Sequence, residues 1–113
     1  MSAITTHVLD TSGGRPASGV PVVLERQAQD GGWEKLGSGE TDSDGRLKTL
    51  LQSDARLAPG VYRLVFDTAH YFRARNETAF YPTVIVVFET TAEQHYHVPV
   101  LLSPFGYSTY RGS

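Results

Sequence analysis

Short runs of strand-forming residues alternate with clusters of turn-forming residues throughout this sequence, and that alternation restricts the fold more than any other feature. The clearest run covers residues 61–68, where Tyr62, Leu64 and Phe66 fall on one face of an extended chain. A series of seven or eight such strands predicts an all-β fold, a β-sandwich of two packed sheets. The other predicted strands cover residues 4–9, 20–24, 33–39, 46–51, 83–89, 95–103 and 105–111.

Two segments depart from this simple alternation. Residues 69–78 show no period of two, and we predict one short helix there. Residues 84–88, by contrast, form an almost continuous run of β-branched and aromatic side chains, which is typical of a strand covered on both faces. We expect an interface with a second copy of the chain to supply the second cover.

Length, charge and cysteine content limit the possible functions. A chain of 113 residues is predicted to form a single domain over residues 1–113, and its lack of Cys excludes disulfides and thiolate chemistry. The formal net charge of −2 gives no reason to expect a nucleic-acid partner. The longest apolar run, residues 84–88, is too short to span a membrane. Residues 1–7 lack the features of a secretion signal, so we expect a cytoplasmic location without a membrane partner.

The four histidines are the residues best suited to proton transfer near neutral pH. A period of two places His7, in the first strand, and His97, in a late strand, on the faces that point away from the core. In isolation, such histidines are more often ordinary surface residues. His95 and His97 are spaced to share a zinc ion, but no Cys and no paired carboxylate supplies further ligands. We therefore predict no metal site.

A cluster of turn-forming residues at 41–45 precedes one candidate site residue. Asp42-Ser43-Asp44-Gly45 resembles the start of a calcium loop, but the remaining ligands of such a loop are missing. The cluster is interpreted as a tight turn that places Arg46 rigidly at the start of the next strand. Taken alone, these patterns indicate a β-sandwich with two unusual histidines and assign no function.

Both ends of the chain carry a resemblance to a known family. The opening segment at 6–10, Thr-His-Val-Leu-Asp, together with Gly-Val-Pro-Val at 19–22, resembles the transthyretin-like family. The closing segment 95–113, which ends in Tyr-Arg-Gly-Ser at 110–113, resembles the family's enzyme branch, the 5-hydroxyisourate hydrolases. The middle is similar too, at 41–46 and at 80–82, so the resemblance covers essentially the whole chain.

The resemblance implies a transthyretin-like sandwich that assembles as a homotetramer, a dimer of dimers. The sites are then expected in the channel between the dimers, where each combines groups from facing subunits. Such a channel agrees with the period-two placement of His7 and His97, because it would wall off the face that carries them. No metal and no organic cofactor is implied.

The reaction implied is hydrolysis of 5-hydroxyisourate during urate degradation. The product is the ureido-imidazoline carboxylate OHCU. By resemblance, His7 and His97 activate the water, and the sequence does not decide which of them is the base. Arg46 holds the carbonyl-rich substrate and stabilises the oxyanion, while Tyr110 and Ser113 complete the substrate pocket with His7.

The sequence is also compatible with two other functions. A small-molecule carrier with the same fold would bind its ligand tightly without turnover and would tolerate loss of the histidines. A structural or adhesion module would have exposed histidines and no channel. Turnover of 5-hydroxyisourate distinguishes the enzyme from both alternatives.

Overall fold

Nine strands in two sheets and one short helix form the described part of the chain, which is residues 3–52, 55–91 and 95–113 of a computed structural model. The elements in chain order are β1 (Ile4–Asp10), β2 (Arg15–Pro16), β3 (Pro21–Gln27), β4 (Trp33–Glu40), β5 (Arg46–Leu47), β6 (Gly60–Phe66), α1 (Thr68–Arg73), β7 (Val84–Thr90), β8 (Tyr96–Ser103) and β9 (Gly106–Thr109).

The first sheet has the order β2-β1-β8-β9, with β5 also paired to β1. The two short strands share one edge of β1, since Leu9 faces Pro16 of β2 and Thr6 faces Leu47 of β5. β8 pairs with β1 in parallel along its whole length, which requires the long crossover of chain between them. The second sheet has the order β4-β3-β6-β7 and is antiparallel throughout.

The predicted all-β sandwich with one short helix is confirmed, with differences in detail. Seven strands have four or more residues, and two have only two residues. The predicted strand at 46–51 is shortened to Arg46–Leu47, and β2 was not predicted at all. The helix begins at Thr68 because the Asp67 side chain caps it, accepting a hydrogen bond from the His70 N–H.

The core lies between the two sheets and follows the period of two. In β6, Tyr62, Leu64 and Phe66 are all buried, as the alternation predicts. Each such side chain contributes about 1.5–3 kcal/mol through the apolar surface it removes from water. In β1 and β8 the same period buries Ile4 and Val98 on the inner face, which leaves the opposite face free for other side chains.

The helix is tied to the end of β1 by a buried polar contact. The Tyr71 hydroxyl donates to the Asp10 carboxylate over 2.7 Å, and Asp10 is almost fully buried. Burial alone would raise the pKa of Asp10, but hydrogen bonds from the Gly13 N–H, Tyr71 and Ser12 outweigh it, so the pKa is lowered. These bonds fix the end of the strand that carries Thr5 and His7.

The run at 84–88 is not covered on both faces within one chain. Val84 and Val86 are buried, but Ile85 and Val87 are 46% and 56% exposed. β7 also forms an edge of its sheet, so one side of its backbone is unpaired in the described chain. The second face is therefore exposed in the single chain, and its cover by a second copy stays a prediction. None of the described helices is long and apolar enough to cross a lipid bilayer.

Candidate active site

The outer face of the first sheet gathers polar residues from three adjacent strands. The register places Thr5 of β1 beside His97 of β8, and His7 of β1 beside Arg46 of β5. Residues opposite each other on neighbouring strands project to the same side of a sheet. The predicted outward orientation of His7 and His97 is therefore confirmed, and Arg46 joins them on that face.

An open pocket of about 210 Å³ lies on this face. It contains three of the predicted site residues, Arg46, His97 and Ser113. His7 is not among its lining residues, although it lies close enough for its charge to lower the pKa of His97. The residues that line the pocket are Thr5, Thr6, Arg46, Lys48, His95, His97 and Ser113.

His97 is held in place through one of its ring nitrogens. Its Nδ1 lies 2.8 Å from the Thr5 hydroxyl, and Nε2 of His95 lies 3.2 Å from the same oxygen. Thr5 is 3% exposed, so this hydroxyl has been taken out of water by the two rings and the surrounding strands. With Nδ1 engaged, Nε2 is the nitrogen of His97 that remains for a ligand.

The pKa of His97 is lowered from its usual 6.5. Burial is the largest cause, because a desolvated ring resists protonation, and the positive charges of Arg46, His7 and His95 act in the same direction. A lowered pKa keeps His97 neutral at pH 7. It can therefore accept a proton there, which is what a general base requires.

His7 is anchored differently. Its Nε2 lies 2.9 Å from the backbone carbonyl oxygen of Asp44. A carbonyl oxygen only accepts hydrogen bonds, so Nε2 of His7 carries the proton in this contact. Nδ1 is then the nitrogen that carries the lone pair when the ring is neutral. The hydrogen bonds therefore hold His97 through Nδ1 and His7 through Nε2.

Arg46 directly follows a tight turn that is closed by hydrogen bonds. The Asp42 carboxylate accepts from the backbone N–H groups of Asp44 and Arg46, at 2.9 and 3.0 Å, and the Asp42 N–H donates to the Arg46 carbonyl. Gly45 has a positive φ of 77°, and a side chain there would collide with the Val8 carbonyl. The predicted tight turn is confirmed, and it fixes the backbone from which the guanidinium extends.

The C-terminal segment is attached to His97 through a glycine. The Gly112 N–H donates to the His97 carbonyl over 2.9 Å, and these two residues form an isolated β-bridge. A Cβ atom at position 112 would lie 2.6 Å from Cδ2 of the His97 ring. Only Gly allows the chain to pass this close to the imidazole and carry Ser113 into the pocket.

Tyr110 lies outside this pocket. It is 58% exposed and lines a neighbouring pocket of about 250 Å³ between β7, β8 and the C-terminal segment. His97 is common to both pockets. Arg111 also lines the second pocket, with its guanidinium carbon 4.9 Å from the centre of the Tyr96 ring. Within one chain, Tyr110 and the Arg46 pocket are therefore separate.

Sequence reasoning missed two contributors, Thr5 and Lys48, and considered His95 only as a zinc ligand. The period of two already put Thr5 on the same face as His7, which was the available signal. Lys48 lies two residues after Arg46 in the predicted strand 46–51, so the same period put it on the face of Arg46, although the observed strand ends at Leu47. Across residues 3–52, 55–91 and 95–113, no three His, Asp or Glu side chains are grouped so as to hold a metal ion.

Comparison with known proteins gives a consistent picture. A model described as the HIUase/Transthyretin family matches residues 4–112. The 5-hydroxyisourate hydrolase of Salmonella typhimurium is 50% identical over 111 residues, which is 97% of this chain and 80% of that protein.

Solved structures of both branches of the family share the fold. The structure of Klebsiella pneumoniae 5-hydroxyisourate hydrolase matches with a TM-score of 0.85 and 38% identity, covering all of both chains. Sea bream transthyretin in complex with thyroxine matches with a TM-score of 0.90 and 34% identity, covering 97% of this chain and 94% of that one. Backbone similarity therefore does not separate the hydrolase from transthyretin.

Proposed function

Because this chain belongs to the HIUase/Transthyretin family, we propose that it hydrolyses 5-hydroxyisourate to OHCU in urate degradation. The observation that carries the proposal is the pocket in which a histidine with a lowered pKa, His97, lies beside the cation Arg46. Identity of 50% to a relative named for this activity supports the substrate. A carrier needs neither a neutral base nor a cation at the place where oxyanion charge develops.

We assign the general base to His97. It lines the pocket with Nε2 available, and its lowered pKa favours the neutral ring. His7 is the weaker candidate because its ring does not line the pocket, although its Nε2–H contact with the Asp44 carbonyl leaves the lone pair on Nδ1. His7 instead orients the substrate from the neighbouring strand and contributes positive charge when protonated.

His97 then carries out two proton transfers, and a third goes to solvent. Nε2 of His97 takes a proton from water as the water oxygen bonds to a ring carbonyl carbon of the substrate. The tetrahedral intermediate collapses with cleavage of the amide C–N bond, and His97 returns the proton to the departing nitrogen. The new carboxylic acid releases its own proton to solvent, which gives the carboxylate product.

Arg46 stabilises the negative charge that develops on the carbonyl oxygen. A single preorganised donor of this kind is worth about 10²–10³-fold in rate. Lys48 lines the same pocket and adds positive charge that favours an anionic product. The three cationic or polar groups Arg46, Lys48 and Ser113 thus surround the position in which charge appears.

We propose that the site is completed by other copies in a homotetramer. One chain leaves the pocket open and places Tyr110 outside it. Exposed apolar side chains on β7 and near β9 supply surface for contacts between copies. Tyr110 then binds substrate only in the assembled channel, together with His7, Arg46 and Ser113. Gel filtration should give a mass near four times 12.4 kDa, whereas a monomer would contradict this assembly.

The similarity to sea bream transthyretin with thyroxine supports a second candidate, a carrier without turnover. The two candidates are separated by one assay. Purified protein is mixed with freshly generated 5-hydroxyisourate, and the decay of absorbance is followed against a sample without protein. The proposal predicts catalytic acceleration by substoichiometric protein, unaffected by a chelator. A carrier would leave the decay of 5-hydroxyisourate unchanged or slow it, because bound substrate is protected from water.

A further inference from the structure

One buried hydroxyl lies between the two histidine rings of β8. The Thr5 oxygen is 2.8 Å from Nδ1 of His97 and 3.2 Å from Nε2 of His95. The parallel register sets Thr5 directly beside His97, and the β-branched side chain restricts χ1 and therefore the position of the hydroxyl oxygen. The arrangement is therefore a defined three-residue chain rather than a chance surface contact.

A hydroxyl carries one proton, so it can donate to only one of these rings. If Thr5 donates to His95, it must accept from an Nδ1–H on His97, and Nε2 of His97 then bears a lone pair. If Thr5 donates to His97, the proton of the neutral His97 ring is on Nε2. The direction of this one hydrogen bond thus decides whether Nε2 of His97 carries a lone pair, as a base requires, or a proton, which makes it a hydrogen-bond donor.

We propose that Thr5 is a positioning residue that couples the tautomers of the two rings, accepting from Nδ1–H of His97 and donating to Nε2 of His95. Nε2 of His97 then faces the pocket with its lone pair, and the proton of His95 is on Nδ1. This inference rests on the proposed function, in which His97 takes a proton from water.

The surroundings of the pocket favour this role for Thr5. A histidine base usually has its second nitrogen oriented by a carboxylate or a carbonyl. Among the described residues that line the pocket there is no Asp or Glu, so the Thr5 hydroxyl is the acceptor within hydrogen-bond distance of Nδ1–H. Of the residues that the structure describes, the charged and titratable groups around His97 are His7, His95, Arg46 and Lys48. All are cationic when protonated, so they oppose a charge on His97 and leave its tautomer to be set by hydrogen bonding.

The direct test is nitrogen NMR on the wild-type protein with ¹⁵N-labelled histidine at pH 8, above the ordinary pKa range of histidine side chains. The expected spectrum shows His97 and His95 both protonated on Nδ1, in contrast to His7 protonated on Nε2. Signals are assigned with His95→Gln and His7→Gln variants. A neutral His97 protonated on Nε2 would overturn the proposal, whatever the activity of the protein.

Kinetics of matched variants supply the second test. Thr5→Val keeps the shape of the side chain and removes the hydroxyl, and we expect kcat to fall about 10- to 100-fold with KM unchanged, less than the loss of the base itself. Thr5→Ser should restore most of kcat. His95→Phe should lower kcat because the freed Thr5 proton can turn toward His97, while His95→Gln, which keeps an acceptor, should retain more activity.

The two proposals fail in different ways. Wild-type kcat in Thr5→Val, or an effect confined to KM, would show that Thr5 does not position the base, while hydrolysis itself stands. Absence of hydrolysis in the wild-type protein would refute the proposed function, and the nitrogen spectrum would still decide the coupling of the two rings.

Discussion

Two arginines on the outer faces of the two sheets show how the same residue type is used in opposite ways. Arg63, on β6 of the second sheet, forms an ion pair with Glu25 at 2.6 Å and lies over the Trp33 ring at 4.2 Å. Arg46, on β5 of the first sheet, is exposed in a pocket with His97, and no carboxylate of the described residues forms an ion pair with it.

The difference identifies the functional face. The charge of Arg63 is already neutralised by its cross-strand partner, so it can do little for a ligand. The charge of Arg46 is held on a rigid turn, and no ion pair among the described residues neutralises it, so it is available to an incoming group. Equal substitutions on the two faces are therefore expected to have unequal effects.

In the comparison of the two arginines, the largest expected effect comes from exchanging Arg46 for an uncharged residue of similar length. Arg46→Gln should lower kcat/KM for 5-hydroxyisourate about 10²–10³-fold, because the donor that stabilises the oxyanion is lost. The matched control Arg63→Gln should leave kcat/KM within about twofold. Comparable losses in both variants would mean that the outer face of the first sheet has no special role.

A smaller effect is expected from a methyl group at position 112. Gly112→Ala places a Cβ 2.6 Å from Cδ2 of His97, so the ring or the C-terminal segment has to move. A misplaced base should cost about tenfold in kcat or more. Gly106→Ala, on β9, meets no atom closer than 3.8 Å and serves as the control. Full activity of Gly112→Ala would show that the C-terminal segment does not help to position His97 for catalysis.

The pH profile should move when Arg46 is changed. The neutral form of His97 is the active one, so kcat/KM should stay high as pH falls through 6.5 and decline only near the lowered pKa of His97. Arg46 is one cause of that lowering, so Arg46→Gln should shift the acidic limb to higher pH. Arg63→Gln should not shift it. If the acidic limb of the wild-type kcat/KM profile had its midpoint above pH 6.5, the assignment of His97 as the base would be contradicted.

The smallest effect is expected on the second sheet. Arg63→Gln removes a partly buried ion pair and a stacking contact with Trp33, which together are worth about 1 kcal/mol of unfolding free energy. Chemical denaturation should show this loss, and Arg46→Gln should show less. A larger loss in Arg46→Gln would indicate that Arg46 is a structural residue like Arg63.

Much of the fold was predictable because burial follows a period of two in this chain. The alternation in residues 61–68 gave β6 and its buried side chains, and the turn residues at 42–45 gave the start of β5. The parallel pairing of β1 with β8 was not predictable in this way, because it joins segments about 90 residues apart and no local pattern encodes it. The two-residue strand β2 is likewise too short to leave a pattern.

The site was predictable in part. Period-two placement and the family resemblance together indicated His7, Arg46 and His97, and the structure brings Arg46 and His97 into one pocket. Thr5 was missed because a Thr in a strand is ordinary, and its contact with both rings depends on the parallel register of β1 and β8. Tyr110 stays a prediction, because its place in a site depends on surfaces that one chain does not supply.

The central claim is that His97 acts as the general base, and one pair of variants tests it most directly. His97→Gln and His70→Gln are compared with wild-type protein in the decay of freshly generated 5-hydroxyisourate, with folding checked by circular dichroism. His70 lies exposed on α1, away from the pocket. We predict a fall in kcat of about 10²–10⁴-fold for His97→Gln and no change for His70→Gln. A folded His97→Gln variant with the kcat of the wild-type protein would contradict the claim.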